Sequence, residues 1–373
     1  MREFINLLEK FWIVKAVEPD IYYSIKDNYK QLSDFAREKL GCRLILKPDF
    51  IKLEKIPALA QIWMGLPGFE DKLDYALLCF VLIFLERKNK GERFILSQLT
   101  ESIIMNSNDI CRIDWTMFRH RKALVRVMKF VSDIAMIKTY DGDTSLFAEN
   151  ADNDVLYENT GLSRYFARLF IRPITEDMTI GDIENETDIN IDHDKGDYRR
   201  HRVYRKLLFS PVVYSDDEAD FGYIKNFRNT ISDDIEKMTD GRLDVHRTAA
   251  MLVLPQTNRF KNIFPSSKAI SDIVLLFNYR IREDLEVSVD ERFTMTYPEF
   301  HNTVLELIGE YKSGWSKTYR EMTPGDVVNE IIKYMREFSM IEYRENMITI
   351  LPLAGKIVGE YPADYNRKTG KRK

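Results

Sequence analysis

Apolar residues recur at helical spacing from the first turn of the chain: Phe4, Leu7, Leu8 and Phe11, then Ile25, Tyr29, Leu32 and Phe35. One apolar residue every three or four positions lines a single helix face, so residues 3 to 40 predict two helices broken near Glu18-Pro19. Gly41 closes the second, and the alternating stretches CRLILK and FIKLEKI around Pro48-Asp49 predict a β-hairpin. The Gly/Pro-rich segment MGLPGF, 64 to 69, separates this hairpin from the next unit. There YALLCFVLIFLE, with Asp74 as its cap, is apolar on every side and predicts a buried helix in which Cys79 serves packing. A short helix capped by Ser97 follows, then a third from Asp114 to about Ser132, with Phe118, Leu124, Val127, Met128 and Val131 facing the core. IAMIKTY, TSLFAE and NDVLYE read as strands. Three helices followed by a β-hairpin is the order of a winged helix.

The second half predicts a helix over 199 to 209, an extended PVVY, a helix over 218 to 238 and strands near 243 to 254. Ser267 to Arg282 and Pro298 to Tyr311 read as two further helices. A third opens with Thr323 as cap and Pro324 in its first turn and ends near Phe338. Two strands turning at Glu345-Asn346 complete a second three-helix-and-hairpin unit. It repeats the order of residues 70 to 158 without evident sequence identity. The expected fold class is α+β, mainly α: tandem winged-helix domains with short β-hairpin wings. The expected divisions are 1-69, N-terminal helices plus a hairpin; 70-175, the first winged-helix domain; 176-198, an acidic linker; 199-265, a connecting α/β segment; 266-362, the second winged-helix domain; and 363-373, a basic tail. Whether 1-69 forms a further winged unit stays open at this level.

Composition narrows the class. The 373 residues are 45% hydrophobic and 31% charged, with a net charge of -4, the profile of a soluble globular chain and not of a polycation. Local patches rather than the sum steer a phosphate backbone, so DNA binding stays open. Cys42, Cys79 and Cys111 form no CxxC pair, which argues against a disulfide framework or zinc site and for a reducing compartment. The N-terminus lacks a cleavage site, and the most apolar run, Tyr75 to Leu85, is shorter than the roughly 20 residues a bilayer span needs. The expectation is a cytoplasmic protein without membrane contact.

Reactive groups are scarce. None of His120, His193, His201, His246 and His301 pairs with another at helical metal-ligand spacing, and no P-loop, dinucleotide fingerprint or GxSxG elbow occurs. His193, between Asp192 and Asp194, reads as part of a solvated acidic loop before it reads as a metal ligand. Asp216-Asp217 and Asp233-Asp234 are the carboxylate pairs a metal-dependent nuclease would draw on, yet adjacent helical residues point apart. No catalytic residue, metal or cofactor is expected, and the chain reads as a non-enzyme.

Two basic clusters are the candidate DNA contacts. Arg119, Lys122, Arg126 and Lys129 recur on one face of the third helix, with His120 and Arg121 beside them; that helix normally meets DNA in a winged helix. Ordinary solubilising charge, or an acidic protein partner, explains the same face. Arg199, Arg200, His201, Arg202, Arg205 and Lys206 open a helix at the end where cations oppose the dipole. They suit a phosphate, an acidic partner or the acidic loop just before them. The arginines and Lys206 join the candidate list. That third helix carries no Asn or Gln between 115 and 132, so phosphate contact fits it better than base reading.

Several phrases together resemble the second component of type II Wadjet plasmid-defence operons: LEKIPA, LDYALLCFVLIFLER, GERFILSQLTE, DWTMFRHRKALVRVMKFV, DNDVLYENT, RRHRVYRKLLFSPVVY and the later FP, running in order from about 53 to 265. The resemblance implies a kite subunit, MukE-like, with tandem winged helices. Such a subunit would form a homodimer and bind a kleisin subunit (JetA-like) that bridges an SMC ATPase (JetC-like). In that condensin-like complex ATP hydrolysis belongs to the SMC partner, and cleavage of plasmids to a nuclease subunit (JetD-like). Double-stranded DNA would be contacted during loop extrusion. A stand-alone winged-helix transcription regulator is the alternative.

Overall fold

The computed structural model describes residues 2–107, 111–167, 175–179, 182, 196–255, 263–284 and 291–362. Its first part is helix α1 (Arg2–Glu9), strand β1 (Ile13–Val14), helices α2 (Pro19–Asp27) and α3 (Tyr29–Leu40), and strands β2 (Leu44–Leu46) and β3 (Phe50–Leu53). Three helices therefore stand where the spacing predicts two. The chain leaves the helix after Glu9 to lay Ile13 against Ile51 in the sheet, and it turns again at Asn28. Gly41 does end α3, in a left-handed conformation that glycine adopts freely.

The second unit is α4 (Lys72–Glu86), β4 (Arg93–Ile95), α5 (Leu96–Ser107), α6 (Phe118–Asp133), β5 (Ile137–Asp141) and β6 (Leu156–Asn159). Asp71 and not Asp74 is the cap of α4. The Asp71 side chain accepts the Leu73 N–H, while Asp74 reaches back as the other half of a capping box. TSLFAE forms a 3-10 turn over Thr144–Ala148 instead of a strand, because Asp143 caps it and Phe147 turns into the core. Strand β4, too short to show alternation, is an addition to the predicted set.

The order then recurs twice more. The third unit is α7 (Asp197–Phe209), β7 (Val213–Tyr214), α8 (Glu218–Asn226), α9 (Arg228–Thr239), β8 (Arg242–Val245) and β9 (Ala249–Val253). The stretch expected as one helix over 218 to 238 is thus two, divided at Phe227, as α2 and α3 are divided at Asn28. The fourth is α10 (Ala269–Asp284), β10 (Phe293–Thr296), α11 (Tyr297–Tyr311), a short α12 (Lys317–Glu321), α13 (Pro324–Glu337), β11 (Ile341–Arg344) and β12 (Met347–Ile350), followed by α14 (Pro352–Lys356). Thr323 and Pro324 start α13 as predicted, and Glu345-Asn346 form the turn, both with positive φ as a tight hairpin requires.

Each unit holds one antiparallel sheet in which its last strand lies between the other two: β1-β3-β2, β4-β6-β5, β7-β9-β8 and β10-β12-β11. The fold is α+β and mainly helical. Segments 1-69 and 199-265, read from sequence as separate pieces, have the same element order and share one core. In it α1 packs on α9 and α3 on α7, so the first helix of each unit meets the third helix of the other, the reciprocity of a two-fold pairing. Phe4 meets Phe35 edge-on and Phe35 meets Tyr204 across the pairing, with Ile25, Leu32, Ile224 and Ile235 fully buried around them.

The outer units attach by matched contacts. Trp12 and Phe50 enter the core of the second unit, and the Trp12 indole N–H donates to the Ile134 carbonyl just past α6 at 2.6 Å. Val212, Ala249 and Met251 enter the core of the fourth, and the Tyr214 hydroxyl donates to the Ser339 carbonyl just past α13 at 2.7 Å. The cores therefore run in the order second, first, third, fourth. No helix among the described residues is long and apolar enough to cross a membrane.

Candidate nucleic-acid interface

Helix α6 turns Ala123, Leu124, Val127, Met128 and Val131 inward, which leaves its cations on the flanks and outer side. Phe118, expected with the core residues, is 55% exposed: it is the first residue of the helix and lies a turn ahead of the buried stripe. Arg126 forks onto Asp74, with Nε 3.1 Å from Oδ2 and Nη2 2.8 Å from Oδ1, and also reaches Glu70 at 3.0 Å. Asp74 is fully buried, so its charge depends on this fork. Arg121 donates to the carbonyls of Trp115, Thr116 and Ala148, fastening the loop before α6 to the 3-10 turn. The His120 ring nitrogen Nδ1 accepts the Asp114 N–H at 3.0 Å.

The outer side keeps three cations. Arg119 pairs with Asp71 at 2.9 Å and Lys129 with Asp133 at 3.0 Å, both cations well exposed, and Lys122 makes no ion pair among the described residues. The hydrogen bond from Arg119, joined by the N–H groups of Leu73 and Asp74, holds the Asp71 carboxyl below the usual carboxylate range. Exposed pairs of this kind contribute little and can exchange a carboxylate for a phosphate.

The second cluster behaves differently. Arg205 is 4% exposed and donates from Nε to the Leu40 carbonyl at 2.6 Å, across the pairing of the first and third units. His201 is buried next to it, and burial pushes its imidazole pKa down, with the charges of Arg205 and Arg200 acting the same way. Arg200 donates to the Glu38 carbonyl at 2.8 Å. Arg202 and Lys206 clamp the start of α8, reaching Asp220 at 2.6 and 2.7 Å and Asp217 at 3.5 and 2.9 Å. Burial alone would raise the Asp217 pKa; the Lys206 hydrogen bond, the Asp220 N–H and the two cations outweigh it and hold it at about 2. Acids at the start of the following helix thus offset Arg202 and Lys206, while Arg200 pairs with Asp197 of its own helix at 3.0 Å. Only Arg199 is both exposed and without an ion pair among the described residues.

Of the eleven candidate contacts, the structure thus brings Arg119, Lys122 and Lys129 to one exposed helix side, adds Arg199 on another unit, and engages the rest internally. Of the other carboxylates singled out by sequence, Asp216 pairs with Arg292 and Asp234 with Lys39, both at 2.6 Å, while Asp233 is exposed. Among the described residues no group of three or more His, Cys, Asp or Glu is placed to hold a metal ion. Asp192, His193 and Asp194 lie outside the described residues, as does most of the acidic linker and the basic tail.

Sequence reasoning missed the exposed side of α4. Tyr75 and Ile83 are 42% and 43% exposed and Cys79 is exposed between them, so the helix is buried on one side only. Its apolarity hid this, because the run from Tyr75 to Leu85 has no charged residue to give a phase by which to orient it.

No curated protein and no solved structure matches the chain. A family model described as a protein of unknown function, DUF2398, matches residues 5–360. Spanning nearly all of a chain with four serial units, that match means the protein belongs to the DUF2398 family.

Proposed function

We propose that the chain is a non-catalytic kite subunit of a condensin-like SMC complex acting against plasmids. On this reading each helix–strand–helix–helix–strand–strand unit is a winged helix. The chain binds a kleisin subunit (JetA-like) and acts beside an SMC ATPase (JetC-like) and a nuclease subunit (JetD-like). It also contacts double-stranded DNA and forms a homodimer in the complex, in the cytoplasm. The observation that carries the reading is the serial order of cores: a paired centre with one unit attached to each side is a scaffold with long outer faces. The third helices α3 and α9 are engaged in the centre, which leaves α6 and α13 to face partners.

DNA contact rests on Arg119, Lys122 and Lys129, with Arg199 apart from them. At the positions of α13 matching Lys122 and Arg126 stand Asp326 and Glu330, so the two halves are not equivalent towards a phosphate backbone. Sequence-independent contact from one half suits a subunit held on DNA by its assembly better than a regulator reading a palindrome.

Co-purification of the tagged chain with the products of its neighbouring genes tests this. The expected result is a stable assembly that contains a kleisin-like protein. A chain that purifies alone and binds one operator sequence tightly would instead make it a stand-alone winged-helix regulator.

A further inference from the structure

Helix α4 carries a stripe in which Tyr75, Cys79 and Ile83 are exposed and Ala76 and Leu82 are half-buried at its margins, flanked by exposed Lys72 and Glu86 at its two ends; Tyr75 rests edge-on against Phe69 and is still 42% exposed. The matching helix of the other half shows that this side is one that gets covered. Burial aligns Leu77, Leu78, Val81 and Leu85 of α4 with Ile273, Val274, Phe277 and Ile281 of α10. This places Ser271, Leu275 and Tyr279 where α4 has Tyr75, Cys79 and Ile83. On α10 the side is closed by α14 and the residues after it: Asn278 Nδ2 donates to the Ile357 carbonyl at 2.9 Å, and the Gly359 N–H donates to the Leu275 carbonyl at 3.2 Å. The position matching Asn278 on α4 is Leu82, so the same kind of segment would find no polar anchor there.

The stripe is self-complementary about Cys79. Run antiparallel against a copy of itself, it sets Tyr75 opposite Ile83, Ala76 opposite Leu82, Lys72 opposite Glu86, and Cys79 opposite Cys79. Apolar positions meet apolar ones and each end places a cation against a carboxylate, as an isologous two-fold contact demands. We propose that α4 is a homodimerisation surface, pairing antiparallel with the α4 of a second copy and crossing at Cys79. It deepens the dimeric part of the function proposed above by naming its surface. Helix axes about 9–10 Å apart, with Cα radii of about 2.3 Å, bring facing Cα atoms within disulfide reach. A single helix pair buries less than the ~800 Å² per partner of a standard interface, so the dimer is concentration-dependent.

The experiment is sedimentation of the purified full chain under reducing conditions across a concentration series, without partners, so that its failure leaves the co-purification test untouched. The expected result is a shift from the 44.0 kDa monomer towards twice that mass, weakened at least tenfold by Ile83→Glu with the melting curve retained. Lys72→Glu alone should weaken the dimer and the Lys72→Glu, Glu86→Lys double variant should restore it, less whatever is lost from the Arg164 contact to Glu86. Mild copper-phenanthroline oxidation of a Cys111→Ser chain should give a cross-linked dimer that Cys79→Ser abolishes. A chain that stays monomeric throughout, or a dimer indifferent to Ile83→Glu and to charge reversal, overturns the proposal.

Discussion

Arg126 and Lys122 lie four residues apart on α6, yet their environments assign them opposite roles. The Arg126 side chain is 14% exposed and neutralises the buried Asp74, so Arg126→Ala leaves a carboxylate buried without its partner. We expect a loss of about 3–5 kcal/mol in chemical denaturation. Lys122→Glu should leave the melting curve within about 0.5 kcal/mol while weakening DNA binding in a fluorescence anisotropy titration, with a shallower salt dependence as phosphate contacts are lost. Equal loss of DNA affinity for both variants, with no difference in stability, would contradict this division. Asp217 gives a pH signature. Its pKa is depressed to about 2 in the folded chain, so its stabilising contribution is full above the unfolded value near 3.8 and disappears as pH falls through about 2. Asparagine keeps a side chain able to cap α8. Asp217→Asn should therefore melt lower than the parent at pH 7, and the gap should close between about pH 4 and pH 2. From the sequence, the basic side of α6 was legible because its period shows in the residue types. That Arg126 answers Asp74 and Arg205 answers the end of α3 was not, since both contacts join segments far apart in the chain.

At the level of elements, what the sequence made plain was whatever local chemistry decides. Thr323-Pro324 starts α13, Glu345-Asn346 turns β11 into β12, and Gly41 ends α3. What it hid was decided by tertiary contact. The strand Ile13–Val14 exists because β3 offers it an edge, and nothing in its two residues announces it. Gly41 has a second reason to be glycine that no local rule contains: a Cβ there would stand 2.5 Å from His201 Nδ1, at φ +58. Gly41→Ala should thus cost more than the ~1–2 kcal/mol that the left-handed conformation alone costs a residue with a Cβ. Phe35 and Tyr204, whose ring centroids are 6.4 Å apart across the pairing, should show a coupling of about 0.5–1.5 kcal/mol in a double-mutant cycle of stability. A coupling of zero would mean that these two helices do not meet in solution.

For the whole molecule, the repeat visible in the sequence was half of the one present. The three-helix-and-hairpin order of residues 70 to 158 and of the last unit was apparent because each has a long third helix and a clear hairpin. The first and third units have strands of two to five residues and a second helix set end to end with the third, so their kinship emerges only from topology. Their shared core is what makes one scaffold of the two halves, and the proposed role as an assembly subunit depends on it. Hydrogen exchange on the intact chain, with and without Leu32→Ala, tests that pairing most directly. Leu32 is fully buried in α3, and its truncation should cost about 2–5 kcal/mol. If α3 and α7 belong to one cooperative core, protection should fall together over residues 29–40 and 197–209. If Leu32→Ala strips protection from α3 while α7 exchanges as before, the two halves do not share a core and the scaffold account is wrong.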